Sequence, residues 1–323
     1  MRTGRLGTFG EVSRLTLGGG GLGEIWGETT PAEAVATLGA AVDAGITLID
    51  TAPYYRNCEA VLAAAWNGRI PQGVRVTSKV FLGSPPADQA AGHIEAALQA
   101  SLAAMKLERL DLYFLHTNIC ADDYVYARGA HRQDEFATRW SLYRDVVVPT
   151  FERLKASGRI GAWGITATGV PPTIRDALAA ETRPDVCQAV ANLLDSAGDM
   201  RSYAEPAEPR AIIATAQAHG VGVMGIRAVQ AGALTRGIDR ELHPKSAELA
   251  DYAHAAPYRV LCDGWGEDPA VVAHRYALAM DGVDTVVLGV KNRVELNQCV
   301  AAEAAEPLEP ERIAAIDQLG LRR

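Results

Sequence analysis

Ile46-Thr47-Leu48-Ile49-Asp50-Thr51-Ala52-Pro53-Tyr54-Tyr55 is the stretch that decides the fold. An apolar run with β-branched residues stops at an acid, and a proline turn then presents two phenols. The pattern predicts a buried strand whose C-terminal end projects a carboxylate, followed by a loop that carries tyrosines. Two further runs end the same way: Val76-Thr77-Ser78-Lys79 and Asp111-Leu112-Tyr113-Phe114-Leu115-His116. In a parallel α/β barrel such strand ends are where chemistry is built. Together the three segments offer Asp50, Tyr55, Lys79 and His116.

Outward from these segments the chain repeats one unit. Thr30-Pro31-Ala32-Glu33 is a helix start, with Thr as N-cap, Pro at the first position and an acid at the third. That helix runs to about Ala44, and Gly45 ends it before the strand at 46–50. Helices near 57–66 and 88–105 lead into strands at 74–79 and 110–116. An irregular insertion, 117–144, precedes a helix near 146–157 that Gly158 closes. Strands follow at 160–166, 186–189, 221–226 and 285–289, with helices near 173–180, 208–218, 269–281, from 293, and near 310–319. A long loop is expected at 227–267. Counting a strand at 15–18, eight strands alternate with helical segments, which implies parallel pairing closed into a barrel. The predicted fold is a single (β/α)8 TIM-barrel domain spanning 1–323. An N-terminal β-hairpin is expected within 4–15, and the long loops 117–144 and 227–267 lie on the catalytic face.

Composition narrows the function classes. Hydrophobic residues make up 48% and charged residues 22% of the 323 residues, in keeping with a globular enzyme. The net charge of −8, with no basic stripe carrying interleaved aromatics, argues against nucleic acid. No apolar run approaches a membrane span, and the first ten residues hold no signal-peptide core. Cys58, Cys120, Cys187, Cys262 and Cys299 are odd in number and scattered, as free thiols of a reducing, cytoplasmic compartment would be. Gly18-Gly19-Gly20-Gly21-Leu22-Gly23 permits close approach of a ligand to backbone, but it is not the spacing of a Rossmann site.

The four polar strand-end residues suggest acid–base work. A phenol with an unperturbed pKa of about 10 needs a neighbouring ammonium to exchange its proton near neutrality. Lys79 would lower that value, Asp50 would hold Lys79, and His116 would bond a substrate oxygen. Nothing among them supplies electrons, so a cofactor must provide a hydride. Each residue also has a structural explanation: a capping aspartate, a snorkelling lysine, a core histidine. Their co-occurrence at consecutive strand ends favours function.

The sequences D-T-A-P-x-Y at 50–55, S-K at 78–79 and L-Y-x-L-H at 112–116 resemble the aldo-keto reductases in order and spacing. So do Gly161-Ala162-Trp163-Gly164-Ile165-Thr166, Gln188 with Asn192-Leu193-Leu194, Gly232-Ala233-Leu234-Thr235 and Leu288-Gly289-Val290-Lys291-Asn292. The resemblance implies a barrel that binds NADP(H) or, less often, NAD(H). It makes Tyr55 the general acid/base, with Lys79 and Asp50 tuning it and His116 orienting the carbonyl; Tyr54 is the rival phenol. Trp26, Tyr54 and Phe81 would line the substrate pocket. Gly20, Thr166, Gln188, Arg227, Gly232, Leu234, Gly289, Lys291, Arg293 and Gln298 would contact the cofactor, Gln188 through the carboxamide and Arg227 through the pyrophosphate. Departures from the family pattern fall at Arg56, Thr166-Ala167, Ile226-Arg227, Glu295, Gln298 and Cys299. Lys291 and Arg293 favour NADP(H), while Glu295 leaves NAD(H) as the alternative. The expected substrate is a small carbonyl compound or a sugar, and no metal is expected. The rival readings are an NAD-dependent aldose 1-dehydrogenase, a non-catalytic nucleotide-sensing subunit, and a metal-dependent barrel hydrolase.

Overall fold

A computed structural model describes residues 1–323. Eight parallel strands close into a ring: β1 (Leu15–Gly18), β2 (Leu48–Asp50), β3 (Arg75–Val80), β4 (Leu110–Leu115), β5 (Ile160–Thr166), β6 (Val186–Val190), β7 (Gly222–Ile226) and β8 (Thr285–Leu288). Each strand pairs with its sequence neighbours, and β8 returns to β1 through Val286↔Leu15 and Leu288↔Leu17. The helices pack outside. α1 (Pro31–Asp43) begins as its sequence predicts, with the Thr30 hydroxyl accepting from Glu33 N at 3.1 Å and Pro31 in the first turn. Gly45, at φ +89°, takes the left-handed turn that releases the chain into β2.

The hairpin pairs Thr3–Leu6 with Gly10–Ser13 and plugs the end of the barrel opposite the site. Leu6 and Val12 join Leu48, Leu112, Phe114, Ala162, Val186 and Met224 in a cluster that fills the barrel. Gly164 makes this filling possible, since a Cβ there would lie 2.3 Å from the Phe114 ring and 2.6 Å from Val186 O. Outside the barrel, Trp163 stacks on Phe151 at 5.5 Å, and Tyr113 meets the same ring edge-on.

Two loop expectations need correction. The 227–267 segment holds helices at Ala247–His254 and Ala256–Trp265, the first capped by Ser246 and the second opened by Pro257. The 117–144 insertion is also ordered. Asn118–Cys120 pairs in parallel with Ala137–Arg139, and Gln133 ties the turn by accepting from Tyr126 N and donating to Tyr124 O. The following helix starts earlier than predicted, at Trp140, and passes through a π turn at Tyr143–Val147. Pro149 follows, where the missing N–H makes a regular α turn impossible. The last barrel helix, Arg293–Ala304, lies against α1 because the ring closes there.

Candidate active site

Strand register brings the four residues together. Asp50 ends β2, Lys79 is the penultimate residue of β3, and His116 follows the last residue of β4. Asp50 faces Thr77 across β2–β3, so their side chains share a level. Lys79 Nζ donates to Asp50 Oδ2 at 2.6 Å and to Thr51 O at 2.9 Å, with both charged side chains buried. Asp50 Oδ1 accepts from Thr77 Oγ1 at 2.7 Å and Gln188 Nε2 at 2.8 Å. A buried ion pair persists only when its remaining lone pairs are met, and here they are.

Tyr55 stands over this pair, its ring centroid 4.6 Å from Lys79 Nζ and 5.6 Å from the His116 ring. Burial opposes the charge on Lys79, but Asp50 and Tyr55 outweigh it and hold the amine above its ordinary pKa. Burial raises the Tyr55 pKa; Lys79 pulls it back without cancelling the rise. The expectation of a lowered tyrosine pKa is therefore corrected: the phenol rests protonated because desolvation of a phenolate exceeds the pull of one already paired ammonium. Burial, reinforced by Lys79, drives the His116 pKa well below 6.5 and keeps the imidazole neutral. His116 Nδ1 is buried without a partner, which leaves Nε2 as the nitrogen toward the cleft.

Asp50, Tyr55 and His116 form the floor of a cleft of about 720 Å³, with Lys79 buried behind them. Tyr54 and Phe81, stacked at 5.1 Å with Phe136 edge-on to Phe81, make one aromatic wall. Asn118, Thr168, Asp199 and Ser202 add polar groups to the lining; Thr168 Oγ1 donates to Asn118 Oδ1 at 2.9 Å. Asn118, two positions after His116 on the same strand end, could have been found from that spacing. Phe136 could not, because the insertion delivers it.

Of the residues that the resemblance assigned to the cofactor, Gly20, Thr166, Gln188, Arg227, Gly232, Gly289, Lys291 and Gln298 line the cleft. Leu234 does not: it is fully buried in the core. Arg293 does not either. Its guanidinium lies outside, paired with Glu33 at 2.9 Å, because barrel closure sets α1 beside the last helix. Arg227 is committed as well, donating from Nε to Gln230 Oε1 at 2.8 Å and pairing with Glu248. Lys291 Nζ is held by Asp239 at 2.6 Å and Glu295 at 2.7 Å. Trp26 lies across two glycines, since a Cβ at Gly20 would fall 2.6 Å from its Nε1 and one at Gly289 3.1 Å from its Cδ1.

A nicotinamide fits the floor on one observation. The buried Thr166 hydroxyl has no partner, and Gln188, its register partner, uses its amide N–H on Asp50 and leaves its carbonyl oxygen free. A donor–acceptor pair without protein partners, beside the tetrad, suits a carboxamide.

A closed parallel barrel with an acid–base group at its strand ends is the frame of a barrel enzyme. The chain belongs to the aldo/keto reductase family, whose profile matches residues 14–320. Among curated proteins it is similar to an L-galactose dehydrogenase from Arabidopsis thaliana, 24% identical over 90% of this chain and 84% of that one. It is also similar to a 6-dehydroglucose reductase from Novosphingobium aromaticivorans, 34% identical over 31% of this chain and 36% of that one. Among solved structures, the holo form of an aldo-keto reductase from Bacillus halodurans superposes with a TM-score of 0.72 at 23% identity, over 99% of this chain and 96% of that one. Members of the family use nicotinamide cofactors and act on small carbonyl compounds.

Proposed function

We propose that this protein interconverts an aldehyde or ketone and the corresponding alcohol, with Tyr55 as the group that gives and takes the proton. The observation that carries the reading is the buried Lys79–Asp50 pair, 2.6 Å apart, beneath a protonated phenol and a neutral imidazole. A substrate oxygen placed between Tyr55 and His116 Nε2 meets two neutral donors, which is what a developing alkoxide requires. Bound nicotinamide supplies the hydride in reduction and accepts it in oxidation. As Tyr55 releases its proton to that oxygen, the phenolate left behind faces the Lys79 ammonium, and Asp50 keeps the ammonium in place. In the oxidative direction the same phenolate receives the alcohol proton. Gln188 and Thr166 orient the carboxamide, Gln188 with the amide that also fixes Asp50. Tyr54 and Phe81 wall the substrate.

One observation supports a narrower reading. An aromatic wall in a cleft that is also lined by polar side chains suits a ring with an apolar face and hydroxylated edges, and two of the curated relatives are named for sugars. Oxidation of an aldose at its anomeric hydroxyl is therefore the second reading, and it uses the same four residues in reverse. The test is a panel of aldehydes and free aldoses, each with NAD(H) and NADP(H), followed by nicotinamide absorbance. Turnover of simple aldehydes supports the first reading and turnover restricted to aldoses the second. No turnover with any pair sinks both.

A further inference from the structure

Resting on the proposed use of a nicotinamide dinucleotide, we propose that this cleft selects NAD(H) over NADP(H), and that Glu295 and Glu33 enforce the choice by occupying the anion site at the start of the last barrel helix. The cleft runs from the tetrad past Gly289 to Lys291, Glu295 and Gln298. A dinucleotide with its nicotinamide at Tyr55 lays its adenosine toward this end. The two cofactors differ there by one phosphate dianion on the ribose, so the question is which donors and cations remain free.

Three of the backbone donors are taken. The start of a helix of this length binds anions through its unsatisfied amides, yet here the chain brings its own acceptors. Lys291 N donates to Glu295 Oε2 at 2.8 Å, Arg293 N to Glu33 Oε1 at 2.9 Å, and Glu295 N to Asn292 Oδ1 at 2.9 Å. The cations are taken too. Lys291 Nζ is shared between Asp239 and Glu295, and Arg293 forms a forked pair with Glu33. The carboxylates hold Lys291 above its ordinary pKa against the effect of burial, and Glu33 is held down to about 2 by Arg293. A phosphate arriving here would have to displace Asp239 and Glu295 to reach the Lys291 ammonium and Glu33 to reach the Arg293 amide, and would meet those carboxylates at close range. An unphosphorylated ribose displaces nothing. One cation lining the cleft lacks a carboxylate partner. Arg240 donates to Ala231 O and sits 5.4 Å over Trp26, which itself lies across Gly20 and Gly289 between the tetrad and the helix start. That position serves the pyrophosphate that both cofactors share.

The test is binding rather than turnover. Dissociation constants of NAD+, NADP+, 5′-AMP and 2′,5′-ADP are measured by calorimetry on the purified protein and on Glu295→Gln, Glu33→Gln and Lys291→Ala. The expected result is NAD+ tighter than NADP+ by about tenfold or more, the equivalent of one lost charge-assisted contact. Glu295→Gln and Glu33→Gln should each tighten NADP+ and 2′,5′-ADP several-fold while leaving NAD+ and 5′-AMP nearly unchanged. Lys291→Ala should leave NADP+ no weaker. NADP+ tighter than NAD+ in the parent, or glutamine variants that leave the ratio unchanged, overturns the proposal. Glu33 is on the surface of α1, so its variant remains informative if Glu295→Gln fails to fold. Binding of neither dinucleotide would overturn the proposed function itself, a result distinct from tight NADP+ binding.

Discussion

Replacing Lys79 with methionine separates the electrostatic role of the ammonium from its role in packing. The side chain keeps its length and loses its charge. With Nζ 4.6 Å from the centroid of the Tyr55 ring, an effective dielectric of about 20 gives an interaction with the phenolate of roughly 3–4 kcal/mol at most, or two to three pKa units. The Tyr55 pKa already lies above its ordinary value, and losing Lys79 raises it further. At any pH well below that value the phenolate fraction falls by roughly a hundred- to thousandfold, and alcohol oxidation should fall with it. The measurement is the pH dependence of kcat/KM for oxidation, whose rising alkaline limb should move to higher pH in the variant. Stability responds separately. Asp50 keeps its bonds from Thr77 and Gln188 but loses its counter-charge, at a cost of roughly 3–5 kcal/mol in denaturant unfolding. The double variant Lys79→Met, Asp50→Asn removes both charges, so it should regain most of that stability and none of the activity. A Lys79→Met protein whose oxidation profile superimposes on that of the parent would refute the reasoning.

Tyr55→Phe should lower turnover by about 10²–10⁴-fold while leaving dinucleotide affinity unchanged in a binding titration. Tyr54→Phe should act mainly on KM, and reversed phenotypes would exchange the roles of the two phenols. Reduction should be nearly flat with pH from mildly acid to mildly alkaline conditions, because His116 is already neutral and Tyr55 still protonated there; a limb near 6.5 in kcat/KM would contradict the neutral imidazole. The same depressed pKa has a consequence for stability. Below pH 6.5 the unfolded chain gains a proton at this position before the native one does, so unfolding free energy should drop as pH falls through 6.5, and less so in His116→Gln. Gly164→Ala should destabilise by about 1–3 kcal/mol in denaturant titration, since its methyl meets the Phe114 ring.

The fold was legible because its signals are local. Thr30-Pro31 starts a helix, Gly45 ends it, and an apolar run that stops at Asp50, Lys79 or His116 marks a strand end whichever strand lies beside it. The helices at 247–265 escaped detection for a local reason as well. Pro257 interrupts an alanine-rich, charge-rich stretch that reads as loop, whereas it sits in the first turn of the second helix, where its missing N–H costs nothing.

What the sequence could not supply at the site is what depends on closure and burial. Lys291 and Arg293 read as two free cations because two of their three acids are remote: Asp239 lies 52 positions from Lys291, and Glu33 lies 260 positions from Arg293. Only the return of β8 to β1, which sets the last barrel helix against the first, makes Glu33 a neighbour at all. Tyr55 shows the same limit in another form. Sequence names the charges near the phenol and so gives the sign of their pull, but the opposing desolvation depends on the depth of the cleft. Depth wins, and the tyrosine rests as an acid. The helix-start cations fail for a different reason: each was counted at full strength when the fold had already paired it, Lys291 with Asp239 and Glu295 and Arg293 with Glu33. A cation that ends a strand or opens a helix is available to a ligand only to the extent that closure of the barrel leaves it unpaired.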